Sequence, residues 1–477
     1  MLFSSIPFLY YFLPLTLLCY FLAPRRAKNA VLLLFSLVFY AWGEPKYVLF
    51  MVASILQGYL FGRLVEKYRN YPRRSKLFLT VSVLFSLLLL GYCKYADFFI
   101  RSFNAVTGLS VPLLRVALPI GISFYTFQIL SYVVDVYRGD VKAQRNFIDL
   151  AAYVAMFPQL IAGPIVKYRD VSSQLHVYRH RYSLQQIEDG MTLFTFGLAK
   201  KVLLADAIGA LWTDIIGVAD SPSTTFVGLA NASTPLVWLG VIAYGFQIYF
   251  DFSGYSDMAI GLGRMLGFRF WENFNYPFLA DSITDFWRRW HISMGTWFRD
   301  YVYIPLGGNK GGLAKQLRNI AIVWLLTGFW HGASWNFVLW GVYFGILLVL
   351  EKLFLLRWLK RLPAVLRHLY ALTLVTVSWT LFAFTDISKG LVWLKAMFFG
   401  TLFDSGSLYL LLTYGLMFVV CALAATPLGK HCYEKLNSRL GPRALTVVDC
   451  GGLACVLVMA AAYLVSGSYN PFLYFRF

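Results

Sequence analysis

The stretch Leu326-Thr327-Gly328-Phe329-Trp330-His331-Gly332-Ala333-Ser334-Trp335 sets an imidazole between two apolar runs. The run before it, residues 318–330, is about 13 residues long and makes a helix of roughly 20 Å. The hydrocarbon core of a bilayer is about 30 Å thick. A helix that enters from the Lys310–Arg318 side is therefore expected to end before it has crossed, with His331 inside the membrane. Gly328 and Gly332 beside it permit a bend or a close approach. An ionisable residue at that depth is a functional candidate by default. The competing reading is a hydrogen-bonded histidine that locks two helices together.

The rest of the chain supports a membrane setting. Of its 477 residues, 59% are hydrophobic and only 14% charged, with a mean hydropathy of +0.63. Soluble domains carry about 45–50% apolar and about 25% charged residues. These values exclude a soluble multidomain enzyme, a disordered chain and a disulfide scaffold, and leave a polytopic all-α membrane protein. Candidate spans fall at 5–23, 29–42, 46–62, 77–92, 113–134, 147–163, 188–212, 235–252, 317–330, 333–350, 369–385, 407–425 and 445–465. Several are short or broken by Gly and Pro and are expected to be re-entrant, because irregular backbone at membrane depth survives only inside protein or against water.

Lys and Arg number 42 against 23 Asp and Glu, a net charge of +19. The basic residues sit in short loops between apolar runs, as the positive-inside rule produces, so a nucleic-acid partner is not expected. Loops 24–29 and 63–76 are strongly basic and 43–46 is not, which places the N-terminus outside. Segments 352–367 and 430–443 are basic too, which carries the C-terminus outside after the last span. The same count does not orient residues 135–316. Six cysteines show no paired metal spacing, and Cys19, Cys93, Cys421 and Cys455 read as small core hydrophobes.

The middle of the chain is polar for a membrane protein. Phe286-Trp287-Arg288-Arg289-Trp290-His291 puts Trp287 and His291 at i and i+4, on one face if the segment is helical. The segment reads either as an aromatic-lined site with cations near a phosphate-bearing ligand or as an interfacial aromatic belt. Asp251 and Asp257 flank Ser253-Gly254-Tyr255-Ser256 just after an apolar run, and bare carboxylates there need partners, for which Arg288 or Arg289 are candidates. Gly307-Gly308-Asn309-Lys310-Gly311-Gly312 lacks the Walker pattern and is expected to be a flexible loop. No GxSxG, GxGxxG, HExxH or CxxC is present, so the usual soluble catalytic templates fail.

Seven segments together resemble the membrane-bound O-acyltransferase (MBOAT) family, in its alginate O-acetyltransferase-like bacterial polysaccharide branch. They are LPIGISFYTFQ (118–128), FPQLIAGPI (157–165), FDFSGYSDMAIGLGRMLGF (250–268), ENFNYPF (272–278), FWRRWHIS (286–293), WFRDYVYIPLGGNKGG (297–312) and LLTGFWHGASWNFVLWG (325–341). The resemblance covers nearly the whole chain. It implies a ring of tilted, partly re-entrant helices around a thin centre with a tunnel, in one integral domain over 1–477. N-terminal helices would occupy 1–110, the catalytic core 111–351, and C-terminal helices with an aromatic tail 352–477. It further implies His331 as general base, His291 orienting substrate or polarising the carbonyl, and Trp287, Arg288, Trp290, Trp330, Asp251 and Asp257 along the tunnel. The donor would be acetyl-CoA or another acyl thioester, with no bound cofactor and no metal. The acceptor would be an extracytoplasmic polysaccharide, with an esterase-like acetyltransferase as outer partner and the bacterial inner membrane as location. The tail Pro471-Phe472-Leu473-Tyr474-Phe475-Arg476-Phe477 is similar to a Phe-x-Tyr-x-x-Phe motif of polymer-acylation systems, which makes Tyr474 a candidate acyl relay. A transporter or flippase for an acylated polymer or lipid is the alternative.

Overall fold

The computed structural model describes residues 1–161, 163–175, 183–216 and 232–466. Among these the regular elements are helices, with no strand. Seven helices are long and apolar enough to cross a membrane. Tyr474 lies outside the described residues.

The chain divides into two compact units. The first comprises Met1–Phe194 and Tyr255–Glu272. Its centre is built by α1 (Val48–Lys67), α2 (Pro72–Leu90) and α3 (Ile122–Arg138). Nearly every side chain of α3 is buried, the polar Ser123, Thr126, Gln128, Ser131 and Asp135 included, which marks it as an interior helix of this unit. Its start departs from the span expected at 113–134, because residues 109–119 are not helical. Pro112 and Pro119 disfavour helix in the residues before them. The amides of Leu114 and Arg115 instead donate to the Asp97 carboxylate at 2.8 and 3.1 Å. Gly121 opens α3 at φ +74°, and a Cβ there would run into the Leu160 carbonyl, so this turn accepts only glycine. The span expected at 147–163 is likewise two pieces, Phe147–Ala155 and Phe157–Leu160, parted at Met156, two residues before Pro158. The returning segment 255–272 is tied down by polar bonds: Tyr20 donates to the Leu266 carbonyl at 2.8 Å and the Arg269 amide to Gln174 at 2.7 Å.

The second unit comprises Thr195–Gly254 and Asn273–Phe477. It takes the first part of the long helix α4 (Thr234–Met265) and the short helices α5 (Ile283–Arg289) and α6 (Ile292–Phe298). Then come α7 (Leu313–His331), α8 (Trp335–Leu350) and α9 (Ala364–Ala383). Helices Ser405–Ala424 and Arg443–Ser466 are apolar yet mostly exposed, the surface that lipid chains cover.

Candidate active site

The second unit collects both candidate histidines. Helix α7 has 19 residues, about 28 Å long. It exceeds the expected apolar run because it recruits a polar first stretch. Asn319, fully buried, donates to the carbonyls of Leu306 and Gly308 at 3.3 and 3.1 Å, and Arg318 reaches Leu306 at 3.1 Å. The glycine-rich run 307–312 is therefore a set of turns anchored to the start of α7, where a flexible loop was expected.

His331 is the last residue of α7, and Gly332 beyond it is extended. The connection to α8 is short, so the two helices fold back on each other. They cross at glycines: a Cβ on Gly341 would come within 2.5 Å of the Trp324 carbonyl oxygen, and one on Gly328 would strike the Phe337 carbonyl. Such backbone-to-backbone contact replaces the hydrophobic effect as the source of helix association in lipid. Gly341→Ala is expected to destabilise the hairpin by about 1–3 kcal/mol through overpacking. Thermal unfolding in detergent reads it, and an unchanged melting temperature contradicts the crossing. The crossing sets the His331 ring against Trp340, Trp330 and Phe382, at centroid distances of 4.9, 5.1 and 5.4 Å. Only 4% of the residue is exposed.

His291 arrives differently from the i, i+4 expectation. Helix α5 stops at Arg289, Trp290 is extended, and His291 sits in the left-handed region at φ 46°, ψ 53°. Trp287 and His291 therefore share no helical face. A non-glycine residue there costs roughly 1–3 kcal/mol and persists only where its surroundings hold it. The holder is the segment around Asn273. The Ile292 amide donates to the Asn273 carbonyl at 3.0 Å and the Asn275 amide to the Arg289 carbonyl at 2.9 Å. The Asn273 Oδ1 accepts from Ser293 N at 3.2 Å and Ser293 Oγ at 2.8 Å, and lies 3.1 Å from His291 Nδ1.

Those bonds define the tautomer. A backbone amide only donates, so the atom facing Ser293 N is the Asn273 oxygen. Nδ1 facing that oxygen must carry the proton, which leaves Nε2 as a bare acceptor. Nε2 is buried and has no hydrogen-bond partner among the described residues. Burial pushes the ring pKa down to about 3, so the imidazole is neutral near pH 7.

Trp330 stands between the histidines, 5.7 Å from His291 and 5.1 Å from His331 by ring centroids. Phe252 of α4 packs edge-on to His291 at 4.7 Å. Trp290 is buried against Phe274, Trp379 and Phe286. Trp287 packs on Trp324 at 4.6 Å and Phe344 at 4.9 Å, and its Nε1 has no partner among the described residues.

The charged candidates divide. Asp251 pairs with Lys201 at 2.8 Å, and Lys201 also holds Asp206 at 2.7 Å. The expected pairing with Arg288 or Arg289 gives way to this buried Lys201–Asp251 pair with the half-buried Asp206 beside it, because the backbone at 200–205 brings Lys201 alongside α4. Arg289 pairs with Asp285 at 2.8 Å, one turn back on its own helix, and Arg288 is exposed. Asp257 is half-buried and belongs to the first unit. Asn273, Phe252, Trp340, Phe382 and Lys201 were not singled out from sequence. Asn273, Phe252 and Trp340 had a signal, since they lie in the segments 272–278, 250–268 and 325–341 that carry the family resemblance; Phe382 and Lys201 had none.

A family model described as MBOAT, membrane-bound O-acyltransferase family, matches residues 140–392. The chain is 40% identical to a probable alginate O-acetylase of Azotobacter vinelandii, over 100% of both chains. It is 34% identical to a peptidoglycan O-acetyltransferase of Helicobacter pylori, over 83% of this chain and 80% of that one. It is 30% identical to a teichoic acid D-alanyltransferase of Bacillus subtilis, over 51% of this chain and 60% of that one.

Proposed function

Because this chain belongs to the membrane-bound O-acyltransferase family, and is an O-acyltransferase, we propose that it moves an acetyl group from a cytoplasmic thioester toward an extracytoplasmic polysaccharide hydroxyl. The donor is acetyl-CoA or an acyl carrier, and the basic loops 24–29 and 63–76 suit its phosphates. The acceptor polymer is of the alginate or peptidoglycan kind, following the names of the relatives. The protein sits in the bacterial inner membrane with both termini outside, and an esterase-like acetyltransferase takes the acyl group onward. The catalytic region is 111–351.

The observation that carries this reading is the pair of buried histidines on either side of Trp330. A hydroxyl is a weak nucleophile at neutral pH. In the proposed step His331 takes its proton as the oxygen attacks the thioester carbonyl. The C–O bond forms, the C–S bond breaks, and the proton passes to the departing thiolate. Such general-base help contributes about 10²–10⁴-fold. His291 Nε2 is an acceptor, so it cannot polarise a carbonyl. Of the two roles expected for it, orienting the acceptor hydroxyl fits. Trp287, Trp290 and Trp330 wall the path, and Asp251 acts through the position of Phe252. Purified protein in liposomes, supplied with acetyl-CoA and polysaccharide fragments, tests the reading through free coenzyme A and ester formation. Absence of both removes it.

Tyr474 is proposed as a transient acyl carrier on the outer face, supported by the Phe-x-Tyr-x-x-Phe pattern of the tail. Trapping with acetyl-CoA is expected to add one acetyl mass to the tail peptide, and Tyr474→Phe to abolish transfer to the outer partner. An unmodified tyrosine together with full activity of Tyr474→Phe refutes the relay.

A further inference from the structure

The His291 segment is tied to the His331 hairpin by a residue at the far end of the hairpin's second arm. Glu351 follows directly on α8 and is 1% exposed. Its Oε1 accepts from the Ile283 amide at 2.7 Å and the Tyr370 hydroxyl at 3.1 Å. Its Oε2 accepts from the Thr284 amide at 2.8 Å and the Thr284 hydroxyl at 2.6 Å. All four partners are neutral donors, and no cation pairs with this carboxylate among the described residues. Its charge is met by the two opening amides of α5 and by two hydroxyls, an arrangement in which an anion is favourable.

Helix α5 carries Trp287, and Trp290 and His291 follow directly on its end. The helix Trp335–Leu359 is continuous, and Gly341 on it is the point of contact with α7. Glu351 lies ten residues beyond, about 15 Å along the axis. The second arm of the His331 hairpin thus packs on α7 at one level and grips the base of the His291 segment at another. We propose that Glu351 is a positioning residue for acyl transfer, setting the His291 segment in register with His331. The proposal rests on the acyl-transfer reading above.

The test is Glu351→Gln. An amide presents two N–H groups where only acceptors are wanted, so at least one donor of α5 is repelled. Turnover is expected to fall at least tenfold, since a shift of about 1 Å in a catalytic group costs on the order of 10²-fold. The KM for acetyl-CoA stays within about twofold, because the donor's own contacts are untouched. Hydrogen exchange is expected to speed up in residues 280–292 and to stay unchanged in α7. If Glu351→Gln is not recovered folded, Glu351→Asp, shorter by one methylene, is read in the same way. Turnover near wild type, a raised KM at constant turnover, or unchanged exchange in 280–292 each overturns the proposal. The exchange readout needs no activity. A wild-type protein without acyl transfer therefore sinks the functional reading, whereas an active wild type matched by an active variant sinks the role of Glu351.

Discussion

His331→Ala is expected to lower turnover by about 10²–10⁴-fold, the usual contribution of a positioned general base. The substitution removes the only group at the end of α7 able to take a proton. It also removes ring contacts with Trp330, Trp340 and Phe382, so stability must be measured alongside. His331→Gln separates the two effects. It fills much of the volume and keeps hydrogen-bonding atoms, yet it does not act as a base near pH 7. Both variants should lose coenzyme A release, while His331→Gln keeps a melting temperature close to wild type. Substantial turnover by folded His331→Gln would mean that the proton leaves by another route.

Asn273→Ala carries the second large effect. One oxygen accepts from Ser293 N and Oγ and from His291 Nδ1. Removing it orphans three buried donors, each worth about 1–3 kcal/mol, and releases a left-handed histidine from what holds it. Misplacement of that ring by about 1 Å is expected to cost on the order of 10²-fold in turnover. Asn273→Asp gives a pH signature. A carboxylate beside Nδ1–H stabilises the imidazolium and raises the His291 pKa above its present value of about 3. With the neutral ring as the proposed active form, activity is expected to be lost as pH falls through the raised value. The acidic limb of the pH–rate profile therefore moves to higher pH in Asn273→Asp. A profile that coincides with wild type, together with a fully active Asn273→Ala, would remove His291 from the reaction.

Much of this protein was legible in its residues. The helical class follows from hydropathy alone, because in lipid the backbone must satisfy its own hydrogen bonds. Pro112, Pro119 and Pro158 mark breaks that the apolar runs conceal, since hydropathy counts side chains and ignores backbone donors. The Trp287–His291 spacing misled for the opposite reason. It assumed a continuous helix, but the helix ends at Arg289, whose carbonyl accepts from the Asn275 amide while Asn273, some fifteen residues away in sequence, takes the amides of Ile292 and Ser293. The partner of Asp251 was illegible for a similar cause: Lys201 lies fifty residues away and meets it only when two helices pack.

By itself the chain determined that it spans a membrane and that its ordered motifs belong to the O-acyltransferases, and it singled out His331 and His291 as the candidate imidazoles. Composition and local order suffice for these, because they depend on solvent preference and on residue identity. The tautomer of His291, the grip of Glu351 on α5 and the tryptophan between the histidines were decided only by the tertiary structure. Each depends on which donor meets which acceptor at about 3 Å, and that pairing exists only after segments far apart in the chain have packed.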